Sequence, residues 1–230
     1  MIKIENTEVY GWEAAIRGMR NPKNSWKLSD SYWGLKEDES PINPDDVLYF
    51  FVGENDLKLM QNLSNAGNDH GKFLRMITVT ADITAPLYWW KEFDTYKVGT
   101  VANSCSTMHK IQAKEFTLDD FSHEHLIDQG NHEDVDCIAF WKECLGDVIQ
   151  FLNWARIAYL KTNDKKYWWQ MIQLLPSSYN QKRTVQINYQ VAKAQRAGRR
   201  HHKLDEWHDY CDWLEGLPYF KEICLGEVKE

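Results

Sequence analysis

The sequence predicts an α/β (α+β) fold, a helix-rich single domain with a mixed sheet. Residues 76–83, MITVTADI, alternate apolar and polar side chains with the period of two that is typical of a half-buried strand. Residues 134–162 instead place apolar side chains at helical spacing, which predicts a long helix. Because 230 residues suffice for one well-buried core, residues 1–230 are predicted to form a single domain.

Local signals predict the other elements of the first half. Residues 1–11 predict a strand, residues 11–20 a short helix and the polar residues 21–46 a long surface loop. A buried strand is expected over 47–53, followed by a helix over 55–67 that Gly67 stops. Pro86 suits the first turn of a helix, and we expect that helix to run to Gly99.

The second half is predicted to be almost entirely helical. Thr117 is the expected N-cap of a segment over 118–128, and Asn163 that of a helix over 164–175. Two more helices are expected over 181–202 and 204–216, with Gly216 ending the second.

Composition excludes several classes of protein. The net charge of −7 argues against general nucleic-acid binding through a basic surface. No apolar run approaches the roughly 18 residues of a membrane helix. The first residues lack the apolar core of a secretory signal, so a cytoplasmic location without membrane association is expected.

Cysteine and histidine offer weak candidate sites. The odd number of scattered cysteines predicts reduced, mostly buried thiols, and none lies in a recognisable nucleophile signature: Cys105, Cys137, Cys144, Cys211 and Cys224. Nearby histidines could join Cys137 in binding zinc, but their spacing matches no compact zinc pattern and favours solvated side chains: His123, His125 and His132. The adjacent pairs Trp89-Trp90 and Trp168-Trp169 could stack on a planar ring, but core packing of at least one member of each pair is favoured.

Residues 177–203 contain no acid and seven lysines and arginines. Such a run is usually a solvated face, but it could instead bind a small phosphorylated ligand. Within it, Asn188 and Arg199 are eleven residues apart, which on a helix places them on one face and about 16 Å from each other. An amide and a guanidinium at that separation could hold a polar ring and a phosphate.

Residues 97–110, KVGTVANSCSTMHK, are rich in small polar side chains. They could form a simple turn or a cradle for a polar ligand.

Two blocks of the sequence resemble the flavin-dependent thymidylate synthases. The first runs from His70 through the strand and Ala85-Pro86 to Lys97, with the order that precedes the family signature R-H-R-x-x-S-x-N-E-x-S-x-R. The second is Pro176, then Asn188 twelve residues later and Arg199 eleven residues further on, which are the family's intervals. One inserted residue near Gly99 aligns the polar stretch with the rest of the signature.

The resemblance implies a role for each matching residue. Flavin contacts are expected from His70, Lys97, Asn103 and Asn188. Contacts to the nucleotide are expected from Ser104, Ser106, Thr107 and Arg199, and Arg199 is also the expected catalytic residue.

The resemblance further implies an activity and an assembly. Family members are homotetramers that bind FAD, use NADPH to reduce it, and transfer a one-carbon unit from methylenetetrahydrofolate to dUMP. The signature is altered here, since Thr95, Tyr96, Ser104 and Met108 replace Arg, His, Glu and Arg, and Ile172 replaces a further Arg. A related pyrimidine deoxynucleotide or a hydroxymethylation therefore remains an alternative, as does a non-catalytic homologue that keeps the oligomeric scaffold and binds a nucleotide or protein partner.

Overall fold

The computed structural model describes residues 2–35, 48–127, 130–131, 138–139 and 141–226. The helices are α1 (Trp12–Arg20), α2 (Glu54–Asn65), α3 (Leu87–Phe93), α4 (Thr107–Lys110), α5 (Trp141–Thr162), α6 (Lys165–Leu174), α7 (Tyr189–Arg199) and α8 (Asp205–Glu215). Short 3-10 and π turns cover 21–23, 26–28, 71–75, 118–120 and 221–225. The predicted helix-rich α/β class is confirmed.

The strands form one larger sheet and two small ribbons. They are β1 (Lys3–Tyr10), β2 (Tyr32–Gly34), β3 (Tyr49–Phe51), β4 (Thr78–Pro86), β5 (Val101–Ser104), β6 (Gly130–Asn131), β7 (Ile138–Ala139) and β8 (Asn180–Asn188). The sheet of four strands has the order β1-β4-β8-β5. The antiparallel pair β2 and β3 places Trp33 opposite Phe50, and β6 pairs antiparallel with β7.

The chain divides into two compact units, each made of three segments. The first unit comprises Met1–Glu5, Asp82–Thr95 and Ala102–Thr184. The second unit comprises Asn6–Ala81, Tyr96–Val101 and Val185–Glu230.

The strand predicted over 76–83 is confirmed as β4. Val79, Ala81, Ile83 and Ala85 are buried while the side chains between them are half-buried, as the period of two requires. Pro86 then caps α3 instead of occupying its first turn.

Aromatic rings dominate the core of the second unit. The Trp12 ring meets Tyr189 and Tyr219 edge-on, with centroids 5.6 Å apart in both pairs, and Tyr189 meets Phe220 at 5.5 Å. Edge-to-face pairs of this kind add to the free energy gained from burial.

The first unit has its own apolar core beneath α5 and α6. Seven side chains form it, including Leu145 and Leu152 from α5 and Met171 from α6, with Phe116 and Phe121 from the preceding loop. Trp89 and Trp90 of α3 are also buried in this unit. Core packing of the first tryptophan pair is therefore confirmed, and Trp168 of the second pair packs partly buried against the core.

The main error of the sequence-based prediction concerns residues 181–188, which form strand β8 and not the start of a helix. Gln181, Val185 and Ile187 are buried, and the intervening side chains are more exposed. The β-branched side chains at 184, 185 and 187 suit a strand, and burial within the fold outweighs the weak helical preference of the neighbouring residues.

Several element boundaries also differ from prediction. The helix after Pro86 ends at Phe93 instead of Gly99, and α5 begins at Trp141 because residues 138–139 form β7. The predicted helix over 118–128 is only a 3-10 turn, over 118–120, which a capping box between Thr117 and Asp120 closes. Asp164, not Asn163, caps α6.

Exposure corrects two further predictions. Residues 32–34 form β2 within the predicted loop, and its partner β3 is not a buried strand, since Tyr49 is 39% exposed. Cys105 and Cys144 are exposed instead of buried, whereas Cys211 and Cys224 are buried as expected. Cys137 lies outside the described residues.

No helix in the described part of the chain is long and apolar enough to cross a membrane.

Candidate functional site

The residues predicted to bind ligands divide equally between the two units. His70, Lys97, Asn188 and Arg199 belong to the second unit. Asn103, Ser104, Ser106 and Thr107 belong to the first. The contacts of each group are therefore described within its own unit.

Helix α7 carries Asn188 and Arg199 at its two ends. Asn188 is the N-cap, and its Oδ1 accepts a hydrogen bond of 3.0 Å from the backbone N–H of Val191. Arg199 is the last helical residue. The buried Ala192 and Gln195 lie between them at intervals of four, three and four residues, so all four side chains follow one stripe of the helix.

The turn after Lys97 passes directly over the start of α7. Gly99 adopts a φ of +77°, which favours glycine, and a Cβ there would lie 2.9 Å from Asn188 Nδ2 and 3.1 Å from Val191 Cγ2. The contact requires a residue without a side chain. The structure thus brings the turn that contains the exposed Lys97 against the Asn188 amide.

Aromatic contacts within the second unit hold Arg199. Its Nε donates a 3.0 Å hydrogen bond to Tyr96 Oη, and its guanidinium carbon lies 5.5 Å from the centroid of the Tyr96 ring. It lies 4.9 Å from the ring of the fully buried Trp207 in α8. The hydrogen bond and the cation–π contacts therefore restrain the position of the guanidinium at the end of α7.

The segment before His70 also reaches the start of α7. Gln190 Nε2 donates a 2.9 Å hydrogen bond to Asn68 Oδ1, two residues before His70. His70 is exposed and lines a pocket of about 540 Å³, together with Asp69, Lys72 and Phe73.

In the first unit, Ser106 and Thr107 line a pocket of about 440 Å³. Ser106 is the N-cap of α4, and its Oγ accepts a 3.2 Å hydrogen bond from the backbone N–H of His109. Asn103 and Ser104 lie exposed on β5, and neither lines this pocket. The same pocket is lined by lysines that the sequence-based prediction did not select: Lys110, Lys114 and Lys182.

Four of the seven basic side chains in the acid-free segment are paired with acids that lie outside the segment. Lys182 Nζ lies 3.2 Å from Asp82 Oδ2, and the hydrogen bond to Asp82 raises the pKa of this lysine. The remaining pairs with short contacts are Arg183 with Asp94, Arg196 with Glu215 and Arg200 with Asp212. Tertiary structure thus neutralises much of the charge that the sequence concentrates.

The two buried cysteines are unsuited to nucleophilic chemistry, and the described residues form no metal-binding group. Burial raises the pKa of Cys211 to about 11 and that of Cys224 to about 12, so both remain thiols at neutral pH. Within the described ranges no group of three or more His, Cys, Asp or Glu side chains could hold a metal ion. His132 and Cys137 fall outside those ranges.

The sequence matches no protein-family model and no curated protein. Solved structures do match the fold over its whole length. A crystal structure of thymidylate synthase X from Helicobacter pylori with FAD and dUMP has a TM-score of 0.65 and 15% identity, covering 100% of both chains. A second structure of the flavin-dependent enzyme from that organism, complexed with FAD and dUMP, has a TM-score of 0.64 and 16% identity, covering 99% and 100%. This chain has the fold of the flavin-dependent thymidylate synthases.

Within the flavin-dependent thymidylate synthase fold, the residues at the altered signature positions make other contacts. The Thr95 hydroxyl donates to the Glu92 carbonyl at 2.7 Å, and Tyr96 engages Arg199. Ile172 packs against the apolar core of the first unit. The three residues that the resemblance aligns with the family's Arg, His and Arg thus make local contacts in this chain.

The residues that are present fit a flavin and a nucleotide in their donor chemistry. The Asn188 amide beside the glycine turn suits a heterocyclic carbonyl, and Lys97 and Arg199 suit phosphate or anionic ring oxygens. The hydroxyls of Ser106 and Thr107 line a pocket large enough for a nucleotide fragment.

Proposed function

We propose that this protein reductively transfers a one-carbon unit from methylenetetrahydrofolate to C5 of a pyrimidine deoxynucleotide, dUMP or a related nucleotide. The observation that carries this proposal is the full-length correspondence of the fold to structures crystallised with FAD and dUMP. FAD, reduced by NADPH, would supply the hydride when bound.

The chain itself contributes binding and orientation. Arg199, in cation–π contact with Tyr96 and Trp207, would bind the nucleotide and favour negative charge on the pyrimidine ring. His70, Lys97, Asn103 and Asn188 would hold flavin, and Ser104, Ser106 and Thr107 would border the nucleotide. Such a reaction requires no protein nucleophile, which agrees with the protonated state of the buried thiols.

The altered signature bears on the substrate. Each lost arginine removes a charge-assisted contact worth roughly 1.5 to 3 kcal/mol, so dUMP would bind more weakly than to the unaltered signature. A related pyrimidine deoxynucleotide or a hydroxymethylation is therefore the second form of this proposal.

We further propose a homo-oligomer, a tetramer as in the family, working in the cytoplasm. Its support is an apolar face on α5, defined by Phe151, Trp154, Ile157 and Leu160, whose side chains are 52 to 57% exposed in the single chain. Four large exposed apolar residues on one helix are typical of a protein interface.

The alternative is a non-catalytic homologue that keeps the scaffold and binds a nucleotide or a protein partner. It is favoured by the contact between Tyr96 and Arg199, since an arginine engaged by a neighbouring ring can serve structure alone. Whether the protein binds flavin distinguishes the enzyme from the non-catalytic homologue.

The test begins with the absorption spectrum of the purified protein. The enzyme proposal predicts a copurifying oxidised flavin, or uptake of added FAD. It further predicts that, when NADPH and methylenetetrahydrofolate are supplied, dUMP or a related deoxynucleotide is converted in a FAD-dependent reaction detected by mass spectrometry. A protein that binds no flavin, even after FAD is added, would contradict the enzyme and leave the scaffold function. Flavin binding without conversion of any pyrimidine deoxynucleotide would also contradict the proposed reaction.

A further inference from the structure

A pocket of about 320 Å³ within the second unit has no part in the proposed function. Aromatic side chains line it, namely Trp26, Tyr32, Trp33 and Phe50, and the first three are 48 to 59% exposed. Its volume is at the lower end of the range for small-molecule sites and suits a ligand of one or two rings. None of the residues that line it was predicted to bind flavin or the nucleotide.

Contacts within the unit hold two of these aromatic side chains in place. The indole Nε1 of Trp26 donates a 2.8 Å hydrogen bond to Asn21 Oδ1. Trp33 meets Phe50 edge-on across the antiparallel pair of β2 and β3, with ring centroids 5.1 Å apart. Side chains that are fixed before a ligand arrives lose little entropy on binding, so a flat ligand can stack on these rings at low cost.

One face of α1 lines the same pocket and carries opposite charges. Glu13, Ile16, Arg17 and Arg20 follow at intervals of three, one and three residues, which places them on one side of the helix. Glu13 and Arg17 are exposed, and neither makes a hydrogen bond or an ion pair with another residue in the described part of the chain. The pocket therefore offers a carboxylate and a guanidinium one helical turn apart, about 6 Å along the axis.

Arg20 is a second sign that the pocket is incomplete without a ligand. Its side chain is 4% exposed, and it donates to Asp56 Oδ1 at 2.6 Å, to the Ser25 carbonyl at 3.2 Å and to the Leu28 carbonyl at 3.0 Å. A guanidinium has five N–H donors, so two of them have no acceptor among the described residues. A buried donor without an acceptor is costly, and an acceptor atom of a ligand in the pocket would satisfy it.

These charges limit the chemistry of the ligand. A cation would be repelled by Arg17, and a compact anion would be repelled by Glu13. A neutral ring fits both side chains if one edge donates hydrogen bonds and the next edge accepts them. The flat aromatic walls require that ring to be planar.

We propose that this pocket binds a bicyclic lactam heterocycle with an amino group beside its ring N–H, the pattern that guanine and pterin share. Glu13 accepts from the ring N–H and the amino group, while Trp26 and Trp33 stack on the ring faces. Arg17 and the spare N–H groups of Arg20 donate to the ring carbonyl and the nitrogen beside it, the two acceptors that arginine binds in guanine. The inference is independent of the proposed function, since neither uracil nor the flavin ring carries such an amino group.

Isothermal titration calorimetry of the full-length protein tests the ligand class with GMP, IMP, AMP, pterin and lumazine. IMP and lumazine lack the amino group, so each should bind about tenfold more weakly than GMP and pterin respectively. AMP lacks both the lactam N–H and the carbonyl and should bind more weakly than IMP. Binding of GMP alone, of pterin alone or of both identifies the source of the ring. No binding of either, or equal affinities with and without the amino group, would overturn the inference.

Substitutions test the assignment of the site. Glu13→Gln should weaken binding of GMP or pterin about tenfold and that of IMP less, because it removes the charge and one of the two acceptors. Trp33→Ala should weaken GMP, IMP and AMP to a similar extent, since stacking does not depend on the base. Glu54→Gln is the matched control, because it changes an exposed acid of the same unit that does not line the pocket. Thermal melting checks that each variant is folded, and unchanged GMP and pterin affinities in Glu13→Gln would refute the site.

The outcomes separate this inference from the proposed function. A protein that takes up FAD and converts a pyrimidine deoxynucleotide, yet binds neither GMP nor pterin, keeps the proposed function and loses this site. A protein that binds GMP or pterin through Glu13 but takes up no FAD keeps this site and loses the proposed function.

Discussion

At the residue scale, Arg199 shows how a side chain predicted from spacing depends on its tertiary neighbours. Its guanidinium contacts the rings of Tyr96 and Trp207, and its Nε donates a hydrogen bond to the tyrosine hydroxyl. These contacts orient the group and reduce the entropy it would lose on binding a ligand. A structural role and a binding role are therefore both consistent with the geometry, and variants can separate them.

Arg199→Ala is expected to weaken binding of a pyrimidine deoxynucleotide by at least an order of magnitude, as loss of a charge-assisted contact should. Tyr96→Phe is the control, since it removes the hydrogen bond to Nε and leaves the guanidinium charge. Titration calorimetry should show near-normal affinity for Tyr96→Phe. Equal affinities in the wild type and Arg199→Ala would refute the binding role.

Asp56 is the clearest case of a buried ion pair. The pair with Arg20 is 2.6 Å long, and both side chains are at least 96% buried. Burial raises the pKa of the Asp56 carboxyl, but hydrogen bonds from Ser29, Ser31 and Arg20 outweigh it and hold the pKa below its ordinary value of 3.8. A carboxyl with a lowered pKa stabilises the fold above that ordinary value, and this contribution is lost as the pH falls through the folded-state pKa.

Asp56→Asn should therefore lower the free energy of unfolding by about 3 to 5 kcal/mol at neutral pH, because Arg20 would remain as a buried unpaired charge. The difference from wild type should shrink as the pH falls below about 4, where the carboxyl of the unfolded chain protonates while the folded one, with its lower pKa, still resists protonation. Urea unfolding at several pH values measures both effects. Asp209→Asn, at an exposed site, should stay within about 0.5 kcal/mol of wild type, and a similar loss there would show that the effect is not specific to the pair.

At the scale of elements, the junction of β8 and α7 positions the candidate flavin ligands of the second unit. Asn188 ends the strand and caps the helix, with its Oδ1 on the Val191 N–H and its Nδ2 beside the turn at Gly99. The side chain thus has two separate functions. Its oxygen stabilises the helix, and its nitrogen is the predicted flavin donor.

Asn188→Asp should keep the helix cap, because aspartate accepts the same hydrogen bond, yet lose the amide donor. Its melting temperature should match that of wild type, while its affinity for FAD falls. Asn188→Ala should lose both, at a cost of about 1 kcal/mol of stability. Fluorescence titration with FAD and thermal melting distinguish the two functions, and an unchanged FAD affinity in Asn188→Asp would count against the flavin contact.

At the scale of the whole molecule, α5 carries more apolar surface than its own unit buries. Leu145 and Leu152 pack into the core, whereas the apolar face of α5 defined above stays exposed in the single chain. Exposure of this surface in water is unfavourable, and association of copies would bury it.

Trp154→Glu should therefore reduce the assembly to smaller species, since a carboxylate buried in an apolar interface is strongly unfavourable. Size-exclusion chromatography with light scattering measures the mass. Gln170→Glu introduces the same charge at an exposed polar position of α6, away from the apolar face of α5, and should leave the assembly intact. A wild-type protein that is monomeric at all concentrations would rule out the homo-oligomer.

The sequence by itself determined the elements whose signal is local. The strand predicted over 76–83 follows from its period of two and is found over 78–86, and α8 with its end at Gly216 follows from helical spacing and a stop signal. The interval between Asn188 and Arg199 predicted that both lie on one helical face, but not that the helix begins only after Asn188. The resemblance of two short blocks also predicted the fold that the solved structures share over the whole chain.

Only the tertiary structure decided what depends on distant partners. Strand β8 was mistaken for a helix because its burial and pairing come from strands about a hundred residues away in sequence. Likewise, four of the seven basic side chains in the acid-free segment pair with Asp82, Asp94, Asp212 and Glu215. The first-unit pocket of about 440 Å³ brings together lysines about seventy residues apart in sequence. Electrostatic pairing and burial are properties of positions in space, and one-dimensional spacing does not encode them.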